Sequence, residues 1–158
     1  MSIAVPFLIV DDHPGNLMVV ESILEPDQYA LVMVQSAQDA LLAMLQTDFA
    51  AVLLDVKIPE MDGYELAALI RGRKRNLHLP IIFLSAHLTD PVDARRGYEV
   101  GAVDYICKPV NSKVLRAKMA VFAELYRQRQ ELKEQIADLR QLLRTAQSPG
   151  DGPATPHH

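Results

Sequence analysis

The chain has 158 residues, 49% hydrophobic and 23% charged, with a formal net charge of −4. That length suits one globular domain plus an appendage, and the mild acidity gives no reason to expect nucleic acid or an anionic membrane as partner. The single Cys107 excludes an internal disulfide and fits a reducing, cytoplasmic setting. No stretch approaches the roughly 20 apolar residues that cross a bilayer, and the first apolar run lacks the basic lead-in of a signal peptide.

In chain order, residues 3–10 read as a strand with Asp11 and Asp12 at its exit. His13-Pro14-Gly15-Asn16 make a turn, Pro14 suiting the first turn of a helix. Leu17, Val20 and Leu24 then recur at helical spacing until Pro26 stops the pattern. Residues 29–34 form a short β-rich second strand, and Ser36 with Asp39 resembles a capping box. The helix it opens turns Ala40, Leu41, Met44 and Leu45 inward.

The third strand lies in the stretch 49–63, a continuous apolar run bounded by turn residues, as expected of a strand buried on both faces. It delivers Asp55 at its far end and breaks at Pro59 and Asp62-Gly63. Leu66, Leu69 and Ile70 mark a third helix, and the basic cluster from Arg71 to Arg75 reads as its solvated end. Residues 80–84 form a fourth strand, leaving Ser85-Ala86-His87 at its exit. Thr89-Asp90-Pro91 opens a helix that ends near Gly101. Residues 102–107 form a fifth strand exiting at Lys108-Pro109, with Cys107 as small core packing, and Asn111 caps the last helix. Five strands alternating with helices imply an α/β fold, a doubly wound parallel sheet covered on both faces.

From Ser112 the helical pattern runs to Ser148-Pro149-Gly150, a helix on the order of 50 Å long. Heptad positions a and d fall on Leu115, Phe122, Leu125, Leu132, Ile136, Leu139 and Leu143, interrupted by Lys118 and Arg129. Such an apolar stripe needs a partner, and a parallel homodimer through the seam Phe122, Leu125, Leu132, Ile136, Leu139 and Leu143 is expected. The expected division is a domain over 1–122, a coiled coil over 123–147 and a disordered tail over 148–158, which includes a possible tag remnant.

The strand exits carry one set of chemistry. Asp11, Asp12 and Asp55 supply three carboxylates, Ser85 a hydroxyl and Lys108 a fixed cation. Carboxylates crowded at one sheet edge repel each other, and a hard divalent cation such as Mg²⁺ (or Mn²⁺) removes the conflict. A carboxylate attacking a phosphoryl group there would have a metal, a lysine and a hydroxyl or backbone N–H for the charged oxygens.

The motifs Val10-Asp11-Asp12, Asp55-x-x-x-Pro59-x-Met61-Asp62-Gly63, Ser85-Ala86, Gly101-Ala102-x-Asp104-Tyr105 and Lys108-Pro109 resemble those of receiver domains of two-component response regulators. The resemblance implies a flavodoxin-like strand order 2-1-3-4-5 and Asp55 as phosphoacceptor. It implies Mg²⁺ on Asp11, Asp12, Asp55 and the Lys57 carbonyl. Phosphoryl contacts would come from Ser85, the Ala86 backbone and Lys108, with Ser85 and Tyr105 as switch residues and a cis Lys108–Pro109 peptide. Its partner would be a sensor histidine kinase or phosphotransfer protein. A phosphatase of the haloacid-dehalogenase type needs a second Asp two positions past the nucleophile, and Lys57 stands there. The chain is therefore expected to phosphorylate and dephosphorylate itself without being an enzyme in the turnover sense. A mainly structural dimerisation module, or an N-terminal piece of a longer hybrid kinase or other multidomain protein, are the alternatives.

Overall fold

The computed structural model describes residues 4–86, 95, 99, 101 and 104–147. Five parallel strands form one sheet: β1 (Pro6–Val10), β2 (Ala30–Val34), β3 (Ala51–Asp55), β4 (Ile81–Ser85) and β5 (Asp104–Cys107). Their order across the sheet is β2-β1-β3-β4-β5, so β1 and β3 are neighbours at the point where the winding reverses. Outside the carboxyl ends of the strands at such a switch point is where open α/β sheets bind ligands.

Helices α1 (Pro14–Leu24), α2 (Ala37–Gln46), α3 (Gly63–Arg71) and α4 (Ser112–Gln147) accompany the strands. Each begins where its sequence provides for the orphan N–H groups. Pro14 stands in the first turn of α1, where a missing N–H costs nothing. Ser36 Oγ accepts from the Asp39 N–H at 3.1 Å, Asp62 Oδ1 from the Glu65 N–H at 2.9 Å, and Asn111 Oδ1 from the Val114 N–H at 3.0 Å. The helix expected from Thr89-Asp90-Pro91 and residue His87 lie outside the described residues, as do residues 148–158 and Ile3.

The core has two layers, one on each face of the sheet. Leu8, Val10, Val52, Leu54, Ile81 and Phe83 pack with Ala37, Ala40 and Met44 of α2 and Tyr64, Leu66, Ala67 and Ile70 of α3. Strand alternation turns Phe7, Ile9, Leu53, Ile82 and Leu84 the other way, and these are buried too, as are Leu17, Val20 and Leu24 of α1 and Leu115 and Met119 of α4. Each such aliphatic side chain contributes roughly 1.5–3 kcal/mol on burial.

Several expectations need correction. Leu45 is 50% exposed and not turned inward, because the buried face of α2 is the one carrying Ala37, Ala40 and Met44. Residues 25–27 form a 3-10 turn after α1, and Gln28 adopts a left-handed φ of 56° before β2 begins at Ala30. Cys107 is exposed, not core packing, since β5 is the edge strand and its last residue faces out. Arg71 is no solvated helix end: it donates to the carbonyl oxygens of Asn76 and Leu79, and to that of Gly101 at 2.8 Å. Phe122 is 8% exposed and belongs with the compact unit Met1–Ala123, so its ring is not available to a seam. The second unit, Glu124–His158, is distinct by contacts, and on its helix Leu125, Leu132, Ile136, Leu139 and Leu143 are all exposed.

Candidate functional site

Strands β1, β3, β4 and β5 bring Asp11, Asp12, Asp55, Ser85 and Lys108 to one edge of the sheet. Asp11, Asp55 and Ser85 are buried, and Asp12 is exposed. One carboxylate oxygen from each of Asp11, Asp12 and Asp55 lies within 4.8 Å of the others. Lys108 Nζ donates to Asp55 Oδ2 at 3.0 Å and stands 3.5 Å from Asp11 Oδ2. A register bond holds that lysine in place, its own N–H donating to the Ser85 carbonyl at 2.9 Å. The Lys108–Pro109 peptide is cis.

The site's carboxylates are steered by local backbone. Asp11 Oδ1 accepts from the His13 N–H at 3.0 Å and from Asn16 Nδ2 at 3.4 Å, while Asp55 Oδ1 accepts from the Lys57 N–H at 3.2 Å. These bonds each use one oxygen and leave the other facing the shared space. Asp11 Oδ2 is buried and accepts no hydrogen bond. Burial pushes the Asp11 carboxyl above its usual range, the His13 N–H and Lys108 pull it down, and the nearby Asp55 charge pushes it up. A buried acceptor without a donor, beside a second and third carboxylate, is what an oxygen-loving divalent cation satisfies. The donor set fits such an ion.

Beyond Asp55 the chain turns sharply to bring α3 against the strand end. The Met61 N–H donates to the Pro59 carbonyl at 2.8 Å across Glu60, whose φ is 71°. The Gly63 N–H donates to the Val56 carbonyl at 2.7 Å. A Cβ on Gly63 would collide with the Asp55 carbonyl oxygen and lie 3.0 Å from Val56 Cα, so only glycine lets α3 start this close. Ala86 is exposed at the same edge. Tyr105 is half-buried on β5, its ring 5.5 Å from that of Phe83 and tilted by 35°.

Sequence reasoning missed Asn16 and the packing role of Gly63. Asn16 stands five residues past Asp11, and its amide reaches the carboxylate only because α1 begins in between. The glycine of Asp62-Gly63 was visible, but its reason is a contact with a backbone atom eight residues earlier, which no local pattern shows.

Residues 7–120 match the family described as response regulator receiver domain. A probable cyclic di-GMP phosphodiesterase of Vibrio cholerae is 38% identical over 112 residues, 71% of this chain and 25% of that protein. The two-component response regulator ARR12 of Arabidopsis thaliana is 39% identical over 111 residues, 69% of this chain and 18% of that protein. This chain therefore spans a quarter or less of the length of either relative. Among solved structures, the receiver domain of sensor histidine kinase PA1611 from Pseudomonas aeruginosa, with magnesium coordinated in its active site cleft, aligns with a TM-score of 0.69 at 27% identity, covering 77% of this chain and 99% of that one. The chain belongs to the response regulator receiver domain family. Receivers bind Mg²⁺ at an acidic pocket and work with histidine kinases or phosphotransfer proteins, and the fold and acidic cluster here are of that kind. Among the described residues, no helix is long and apolar enough to cross a membrane.

Proposed function

We propose that Asp55 accepts a phosphoryl group from a histidine of a sensor kinase or phosphotransfer protein. The observation that carries this is the convergence of three carboxylates within 4.8 Å, one of them bonded to Lys108 Nζ. Asp11, Asp12, Asp55 and the Lys57 carbonyl would hold Mg²⁺ or Mn²⁺. Bound there, the cation supplies positive charge against the crowded carboxylates and the phosphoryl oxygens.

The chain's own groups then have separate tasks. Asp55 attacks phosphorus through a carboxylate oxygen as the P–N bond to the donor histidine breaks, and the departing imidazole nitrogen keeps the bonding pair. Lys108 exchanges its ion pair with Asp55 for one with a phosphoryl oxygen, and the Ser85 hydroxyl and Ala86 N–H take others. Ser85 and Tyr105 report that occupancy as the switch pair. With Lys57, exposed, in the position where a hydrolase of the aspartyl-phosphate type places its general acid, the chain acts as a cytoplasmic switch, not as a turnover enzyme. The C-terminal helix forms a parallel homodimer through Leu125, Leu132, Ile136, Leu139 and Leu143, with no nucleic acid or membrane as partner. The large relatives favour a receiver that heads or joins a longer protein.

Intact-protein mass measurement with acetyl phosphate tests the assignment. One phosphate is expected, only with Mg²⁺ or Mn²⁺ present, and none on Asp55→Asn. Undiminished labelling of that variant removes Asp55 from the role.

A further inference from the structure

At the end of the sheet opposite the acidic site, one side chain bonds the stretches that lead into β4 and β5. Arg71, the last residue of α3, donates Nη1 to the carbonyl of Asn76 at 2.7 Å and to that of Leu79, and Nη2 to the carbonyl of Gly101 at 2.8 Å. Leu79 lies two residues before β4, and Gly101, at a left-handed φ of 74°, three before β5. A Cβ on Gly101 would stand 3.3 Å from Arg71 Nε, so the guanidinium lies close against that backbone.

The same three elements end at the acidic site. Gly63, the first residue of α3, is packed on the Asp55 backbone. Ser85 ends β4, and Lys108 follows β5 and bonds back to the Ser85 carbonyl. The guanidinium is a planar fork, able to serve several carbonyls in fixed directions, which a lysine or an amide cannot. Strands β1 and β3, which carry Asp11, Asp12 and Asp55, receive none of these bonds.

We propose that Arg71 is a positioning residue for the phosphoryl-binding half of the site: by fixing the entrances of β4 and β5 against α3, it sets where Ser85 and Lys108 stand relative to Asp55. The proposal rests on Asp55 being the phosphoacceptor. Burial lowers the affinity of the Arg71 guanidinium for its proton, in keeping with a group partly withdrawn from water.

The two halves of the site can be read separately on the full chain. Mg²⁺ titration reports Asp11, Asp12 and Asp55. Beryllofluoride binding at saturating Mg²⁺, followed by ¹⁹F NMR, reports Ser85 and Lys108 as well. Arg71→Gln is expected to weaken beryllofluoride binding about tenfold or more, while Mg²⁺ affinity stays within about twofold. Arg71→Lys keeps the charge without the fork, and carries the same comparison should the glutamine variant fail to fold. Arg75→Gln breaks the neighbouring ion pair with Asp48 and is expected to change neither affinity. Equal losses of both ligands in the folded Arg71 variants, or no loss of either, overturn the proposal. A wild-type chain that binds Mg²⁺ but no beryllofluoride overturns the phosphoacceptor reading instead.

Discussion

The two ends of the sheet are satisfied in opposite ways. At the exits, Asp11, Asp12 and Asp55 crowd around Lys108, and one buried oxygen of Asp11 accepts no hydrogen bond. At the entrances, a single guanidinium is taken up by backbone carbonyls. One end crowds negative charge around a single lysine; the other engages a positive charge with neutral carbonyls. A functional edge must hold polar groups that are not yet fully paired, and the strands between must carry that cost.

A substitution at each end of α3 gives the largest contrast. Gly63→Ala places a methyl against the carbonyl of Asp55, where backbone and not a flexible side chain must yield. A loss of about 3 kcal/mol or more in urea unfolding is expected. Gly72, just past the other end of α3, sits at φ −65° and ψ −16°, which alanine adopts freely, and its nearest neighbour would be the Leu69 carbonyl at 3.3 Å. Gly72→Ala is expected to change stability by less than about 1 kcal/mol. Similar losses in both would mean that the close approach at Asp55 is not what demands glycine.

The next effect sharpens the contrast by charge. Lys108→Ala leaves Asp11 and Asp55 facing each other without their shared cation, side chains 1% and 8% exposed. Without divalent metal the variant is expected to lose about 1–3 kcal/mol at neutral pH. Added Mg²⁺ is expected to recover most of that, and to bind no more weakly than in wild type, because the lysine no longer competes for Asp55. Beryllofluoride binding is expected to fall sharply. A variant as stable as wild type without metal would show that the lysine does not offset the carboxylates.

A smaller effect follows from Asp11 alone. Its pKa in the folded chain is raised above the usual 3.8, chiefly by burial. The folded state therefore binds its proton more tightly than the unfolded state, and this contribution favours folding at low pH. It is lost as pH rises from the unfolded value through the raised folded one. Asp11→Asn, neutral throughout, is expected to be more stable than wild type at pH 7 without metal, the gain vanishing toward pH 4. Urea midpoints at both pH values check it. A gain that grows on acidification would reverse the sign of the argument.

The same contrast explains what was legible in the sequence. The exits were readable because the proposed chemistry calls for particular side chains at strand ends: an aspartate to attack, a lysine for charge, and a turn-forming Asp62-Gly63 after Asp55. Strand order followed from the family those residues defined. The entrances were not readable, because Arg71 serves backbone carbonyls, and every residue has one. A basic cluster at a helix end looks the same whether all of it faces water or one arginine bonds three carbonyls. Leu45 was misplaced for a related reason. Apolar spacing fixes a helical face only to within about one position of 100°, and the buried face of α2 runs through Ala37, Ala40 and Met44.

The prediction with the least effect on the fold concerns the helix beyond Ala123. Leu125, Leu132, Ile136, Leu139 and Leu143 are between 46% and 59% exposed, and their spacing of seven, four, three and four residues alternates d and a positions of a heptad. Phe122 is buried within the compact unit, so a seam is expected to start one layer later than the sequence alone implies. Arg129 takes an a position inside it, and its neighbours three and four residues away, Leu125, Tyr126, Leu132 and Lys133, offer no carboxylate. In a parallel pair two such arginines meet, with Gln128 at g giving no compensating charge, so the layer has to open to solvent. The dimer is accordingly expected to be weak at that layer and strongest through Leu132, Ile136 and Leu139. Leu132→Glu with Leu139→Glu is expected to leave the unfolding free energy of the receiver unchanged within about 0.5 kcal/mol, since neither side chain contributes to its core. Light scattering is expected to show the monomer mass, and acetyl phosphate is expected to label Asp55 as in wild type. Arg129→Leu is expected to act in the opposite direction, tightening the dimer by filling the open layer. If the double glutamate variant keeps the dimer mass, the contact lies on the receiver unit and the seam is not the interface.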